Sequence, residues 1–147
     1  MDRIHLVTLG CSLMLFRMTV ATWKDCGSTG VSITDVYVPG CESSTCQLKR
    51  GNNASISISF IPAQELSAIT NKVYGVIYSA SVYFPLPQAD GCKLGVSCPM
   101  NAGEQYTETV TLYVSPYYPA IQLVVRWELD DSSKNQVGCF KIPLQLV

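Results

Sequence analysis

Few residues in this chain could do covalent chemistry. There is one histidine, His5, and there are seven cysteines. His5 and Cys11 both fall within residues 1–21, which read as an export signal. Arg3 supplies an early positive charge, an apolar run extends from Leu6 to Phe16, and Thr19-Val20-Ala21 offers a small-residue cleavage site. Arg17 interrupts the segment, and its apolar run is shorter than the roughly 20 residues a spanning helix needs. Cleavage near Ala21 removes the histidine, and with it any Ser–His or Cys–His pair for nucleophilic catalysis. The adjacent carboxylates Asp130 and Asp131 are the remaining acid–base candidates. They open the polar run Asp130-Asp131-Ser132-Ser133-Lys134-Asn135, which reads as a solvated turn. The sequence carries no glycine-rich phosphate loop and no metal-ligand cluster, so no enzyme, cofactor or metal is expected.

Six cysteines remain after cleavage: Cys26, Cys41, Cys46, Cys92, Cys98 and Cys139. In a short exported chain they read as three disulfides. Cys41 and Cys46 flank the hydrophilic Glu42-Ser43-Ser44-Thr45, and Cys92 and Cys98 flank a second turn. Two local bridges are the natural reading, which leaves Cys26 for Cys139. Zinc fits poorly, because neither pair has Cys-x-x-Cys spacing. Taking Arg3, Arg17 and Asp2 away from ten basic and eleven acidic residues leaves a net charge of −2. That balance gives no footprint for nucleic acid. Residues 22–147 fit a single domain.

Short strands must position whatever site exists. Val31 to Val38 is strand-like and stops at Pro39-Gly40. Ser55-Ile56-Ser57-Ile58-Ser59-Phe60 alternates strictly, with Ile56, Ile58 and Phe60 inward. Lys72 to Val82 reads as one strand rich in Val, Ile and Tyr. Glu104 to Val114 places Val110, Leu112 and Val114 on one face and Thr107, Thr109, Thr111 and Tyr113 on the other. Ile121 to Leu129 places Ile121, Leu123, Val125 and Trp127 together. The last strand runs from Val137 to Val147, with Phe140, Ile142, Leu144 and Leu146 inward. About seven strands and no long helix predict an all-β, antiparallel, immunoglobulin-like β-sandwich. Asn53-Ala54-Ser55 is an N-glycosylation sequon in an exposed turn.

The most distinctive stretch runs from Val82 to Pro99. Pro85 and Pro87 take the chain out of the sheet beside Phe84, because proline cannot donate to a ladder. Asp90-Gly91-Cys92-Lys93 then turns toward Cys98-Pro99. This run resembles the ML (lipid-recognition) family, which carries a proline-rich rim around Phe, then Asp-Gly-Cys-Lys and Cys-Pro. Trp23-Lys24-Asp25-Cys26-Gly27, the segment Cys46 to Gly51, Tyr118-Pro119, Trp127 and Ile142-Pro143 extend the likeness across residues 22–147. Ser81 and Tyr83 stand where the family's sterol-transfer proteins have prolines, and the chain reads as an arthropod-type member.

The resemblance implies the same three disulfides and a specific site. Phe84, Val114 and Tyr118 match the family's principal lipid contacts. Leu48, Val82, Leu112, Ile121, Leu123, Val125 and Trp127 match further pocket-lining positions. Arg50 and Lys93 match basic positions used at anionic membranes, and Asp90 matches another functional position. From pattern alone the Val and Leu stripes are the packed core any sandwich needs. The resemblance turns them into cavity walls, because the family splays its sheets. The implied function is a monomeric secreted or lysosomal sterol carrier that meets membranes transiently and hands its lipid to a membrane or a sterol receptor. An extracellular carrier of fatty acids or semiochemicals is the alternative. An immune recognition or adhesion module with a filled core is the third reading.

Overall fold

The structure, a computed structural model, describes residues 23–41 and 46–147. The expected export signal, residues 1–21, lies outside the described residues. Nine strands are present among them: β1 (Lys24–Asp25), β2 (Val31–Tyr37), β3 (Gln47–Leu48), β4 (Asn53–Pro62), β5 (Thr70–Ile77), β6 (Ala80–Phe84), β7 (Tyr106–Tyr113), β8 (Gln122–Asp130) and β9 (Gln136–Leu146). A 3-10 turn spans Gly91–Lys93. Two sheets face each other, the larger in the order β1-β9-β8-β5-β6 with β3 added alongside β9, the smaller in the order β2-β4-β7. All pairings are antiparallel except β3 with β9. Two of the nine strands have only two residues, which a count from hydrophobic periodicity passes over.

Alternation does what the pleat requires. On β4, Ile56, Ile58 and Phe60 are buried between the sheets. The outward serines meet β7 threonines, and Ser55–Thr111, Ser57–Thr109 and Ser59–Thr107 share hydrogen bonds of 3.0, 3.0 and 2.8 Å. Between the sheets Trp127 stacks on Phe140, with ring centroids 5.8 Å apart. All three disulfides form as expected, with Cα separations of 5.0 Å for Cys26–Cys139, 4.5 Å for Cys41–Cys46 and 5.7 Å for Cys92–Cys98.

Two expectations are corrected. Residues 72–82 are not one strand. The chain reverses at Tyr78-Ser79 into the β5–β6 hairpin, which pairs Ile77 with Ala80 and Val73 with Phe84. Tyr78 takes a positive φ of 56° there, a turn that no glycine or proline announces. Asp130 is not a solvated turn residue. It ends β8, opposite Thr70 and Gln136, is 4% exposed, and its carboxylate meets the Lys72 ammonium at 3.0 Å.

Candidate functional site: an apolar cavity between the sheets

The sheets do not close on each other along their whole length. A cavity of about 210 Å³ lies between them. From β8, Leu123, Val125 and Trp127 point into it at two-residue intervals, and Trp127 forms its floor. Leu112 and Val114 line it from the opposite sheet's end, and Leu48 from β3. Phe84 closes one side of the mouth, at the point where Pro85 ends β6.

Phe84 is seated by a missing side chain. Gly75 on β5 leaves space that the ring fills: a Cβ there would stand 2.8 Å from Phe84 Cε2 and 3.2 Å from Leu123 Cδ1. Tyr118 meets the same ring edge-on, with centroids 5.5 Å apart and planes at 84°, a favoured aromatic geometry. Tyr118 is held in turn by Arg50, whose Nη1 donates to the Tyr118 carbonyl at 3.0 Å while Nε reaches the Val147 carbonyl at 3.5 Å.

Eight residues named above by resemblance meet in this cavity: Leu48, Phe84, Leu112, Val114, Tyr118, Leu123, Val125 and Trp127. Val82 and Ile121 do not line it. Val82 pairs with Gly75 on the open edge of the sheet and is 45% exposed, and Ile121 packs beside Val114, Leu123 and Leu146. Sequence reasoning passed over Val38, Ile56, Val73, Ile142, Leu144 and Leu146 as lining residues. Alternation had marked four of them as inward. Nothing in a strand pattern separates a side chain that fills a core from one that borders a void.

The three polar candidates lie apart from the cavity walls. Asp90 caps the 3-10 turn, accepting from the Cys92 N–H at 2.9 Å, and Lys93 beside it is exposed. Arg50 serves the mouth as described. Asn53 is exposed at the start of β4, opposite Tyr113.

Two buried polar side chains, Asn71 and Glu108, sit behind Trp127. Glu108, on β7, is completely buried, and Asn71 Nδ2 donates to its Oε2 at 2.9 Å. Burial pushes its carboxyl up to about 7, against the smaller opposing effect of the Asn71 hydrogen bond. The signal in the sequence was its place two residues before Val110 on β7's apolar face.

Among the described residues no carboxylate, amine or thiol lines the cavity. Walls of Val, Leu, Ile and aromatics with a narrow aromatic mouth make a binding site for an apolar molecule, not a catalytic centre. The comparisons with known proteins agree. Residues 20–146 match the family model described as the ML domain, and the chain belongs to that family. It is 35% identical over 144 residues to NPC intracellular cholesterol transporter 2 of Mus musculus, covering 94% of this chain and 97% of that protein. It is 38% identical over 145 residues to the ecdysteroid-regulated 16 kDa protein of Manduca sexta, covering 90% of this chain and 99% of that one. The crystal structure of a Niemann-Pick type C2 protein from Japanese carpenter ant superposes with a TM-score of 0.80 at 27% identity, covering 85% of this chain and 98% of that chain.

Proposed function

We propose that this protein is an exported carrier that shields a sterol between its two sheets and passes it to a membrane or a membrane receptor. The observation that carries this reading is the apolar cavity under the Phe84–Tyr118 mouth. The kinship with cholesterol transporters supports the choice of ligand. Three disulfides suit an oxidising compartment, whether extracellular fluid or lysosome. Among the described residues no helix is long and apolar enough to cross a membrane. Tyr83 and Tyr117, exposed in the segments that carry Phe84 and Tyr118, supply amphipathic contacts for a passing encounter with a bilayer. Lys93 adds an exposed cation attractive to anionic lipid.

The cavity is smaller than the roughly 300–1,000 Å³ of pockets that enclose drug-sized ligands. Sterol uptake therefore requires the mouth to widen. Burying several hundred Å² of apolar ligand surface would release on the order of 10 kcal/mol before association costs.

The test is native mass spectrometry of the secreted protein, then lipid extraction and competition between cholesterol and oleate. Bound sterol that Phe84→Ala or Tyr118→Ala weakens is the expected result. Oleate binding without sterol competition would make the protein a carrier of fatty acids or similar small signals. No uptake of either would refute the carrier reading and leave a recognition module.

A further inference from the structure

Lipid carriage alone does not explain Glu108. β7 sends this side chain into the space between the sheets, in line with Val110, and it crosses to a residue of the other sheet. That residue, Asn71 on β5, is 1% exposed. Asn71 Oδ1 accepts from the Trp127 indole Nε1 at 2.8 Å, and its Nδ2 donates both to Glu108 Oε2 and to the Ala89 carbonyl at 3.2 Å. An indole N–H can only donate, so Trp127 fixes which way the Asn71 amide faces. Its oxygen belongs to Trp127 and its NH2 to Glu108. Glu108 Oε1 has no partner among the described residues. Gly91 lets the chain close over the carboxylate, since a Cβ there would stand 2.6 Å from Oε2.

Among the described residues no cation pairs with this carboxylate. Ile58, across from it on β4, and the nearby Phe60 are apolar. Asp90, beside Gly91, gives its carboxylate to Cys92, and Lys93 is exposed. On β5, Lys72 pairs with Asp130 of β8, and on β8 Arg126 pairs with Glu128 at 3.3 Å. On β7 the Tyr106 hydroxyl donates to Glu104 Oε2 at 3.1 Å.

We propose that Glu108 is a positioning residue that couples proton uptake to filling of the cavity, acting through Asn71 on Trp127. The proposal rests on the carrier reading above. Ionised Glu108 requires the Asn71 NH2, which commits the amide oxygen to Trp127 and holds the indole on the cavity floor. Protonated Glu108 binds that NH2 more weakly, which loosens the Asn71 amide and lets the indole adjust to a ligand. A ligand lying on Trp127 also keeps water from the floor and further disfavours a charge beneath it. Both effects place the proton on Glu108 in the filled state. Reciprocity then makes ligand binding tighter in acid. Each unit by which filling raises the Glu108 pKa is worth about tenfold in affinity between the acid and alkaline limits.

Three measurements test this. In a Trp23→Phe background, Trp127 emission of the empty protein should titrate with a midpoint near 7, and Glu108→Gln should flatten it. A fluorescent sterol and a fluorescent fatty acid should each bind wild type about tenfold more tightly at about pH 5.5 than at about pH 8.5. Glu108→Gln, checked for native near-UV circular dichroism, should bind with the acid affinity at both. Calorimetry on wild type in two buffers of different ionisation enthalpy needs no variant and should show proton uptake on binding near neutral pH. Zero uptake, or unchanged pH dependence in Glu108→Gln, overturns the proposal. If neither probe binds wild type at any pH, the carrier reading fails instead. The titration of the empty protein then decides alone whether Glu108 controls Trp127.

Discussion

Raising the pH from about 4.5 to about 7 should weaken this fold through Glu108. In an unfolded chain Glu108 would titrate near the ordinary glutamate value of 4.5, whereas in the native protein burial holds it at about 7. Between those values the native state keeps a proton that the unfolded state has lost, so stability falls as pH rises. The contribution is fully present below about pH 4.5 and is gone above about pH 7. A shift of this size corresponds to about 3 kcal/mol at 1.36 kcal/mol per unit, a large share of the 5–15 kcal/mol that typically holds a domain together. Asp25 acts in the opposite sense. Burial alone would raise its carboxyl, but the Ser28 hydroxyl and the backbone N–H groups of Ser28 and Gly27 together hold it low, so its support fades in acid. The informative quantity is therefore the difference between wild type and Glu108→Gln in urea unfolding across the pH range. Glutamine brings an NH2 group with no partner at the Oε1 position, which should cost about 1–3 kcal/mol at every pH. Only the wild type should add a decline of about 3 kcal/mol between pH 4.5 and 7. Parallel stability curves for the two proteins would refute the assignment of a buried, proton-holding Glu108.

Gly75→Ala places a methyl 2.8 Å from the Phe84 ring. It should destabilise by about 1–3 kcal/mol in thermal unfolding, and ligand affinity should fall as the ring is pushed from the mouth. Replacing Cys26 and Cys139 together by serine opens a link across 113 residues and should cost about 5 kcal/mol in the same melt. Arg50→Met removes the hold on the Tyr118 carbonyl. Stopped-flow release of a fluorescent sterol should then speed up, with little change in melting temperature.

How far the sequence carried depended on which physical signal each element sends. β4 and β7 bury one face each, and β9 does so from Phe140 onward, so their alternation was legible, and the Ser–Thr pairing across β4 and β7 follows from it. The β5–β6 reversal was hidden because Tyr78 makes the turn in a conformation that glycine usually marks. Asp130 looked like part of a polar turn because six polar residues follow it. Its burial depends on Lys72, distant in the chain and adjacent only once β5 and β8 pair. Val82 had the composition of a wall residue, and only the position of β6 at the sheet edge leaves it exposed. Glu108 was the most informative residue passed over. A carboxylate in phase with Val110, Leu112 and Val114 breaks an apolar stripe, and such a break marks a polar group with a job inside the sandwich.

The Ser–Thr ladder on the outside of the small sheet bears on how the molecule yields. Three hydroxyl pairs rivet β4 to β7 along the solvent side, in addition to the backbone ladder. On the other wall, among the described residues, β6 is held by β5 alone, and its outer edge has no strand against it. When a bulky guest forces the two walls apart, deformation should therefore concentrate in one of them. The riveted plate keeps its shape while the β5–β6 hairpin, which carries Phe84, swings outward. Amide hydrogen exchange would register this as a lopsided breathing motion, slow along β4 and β7 and fast along β6.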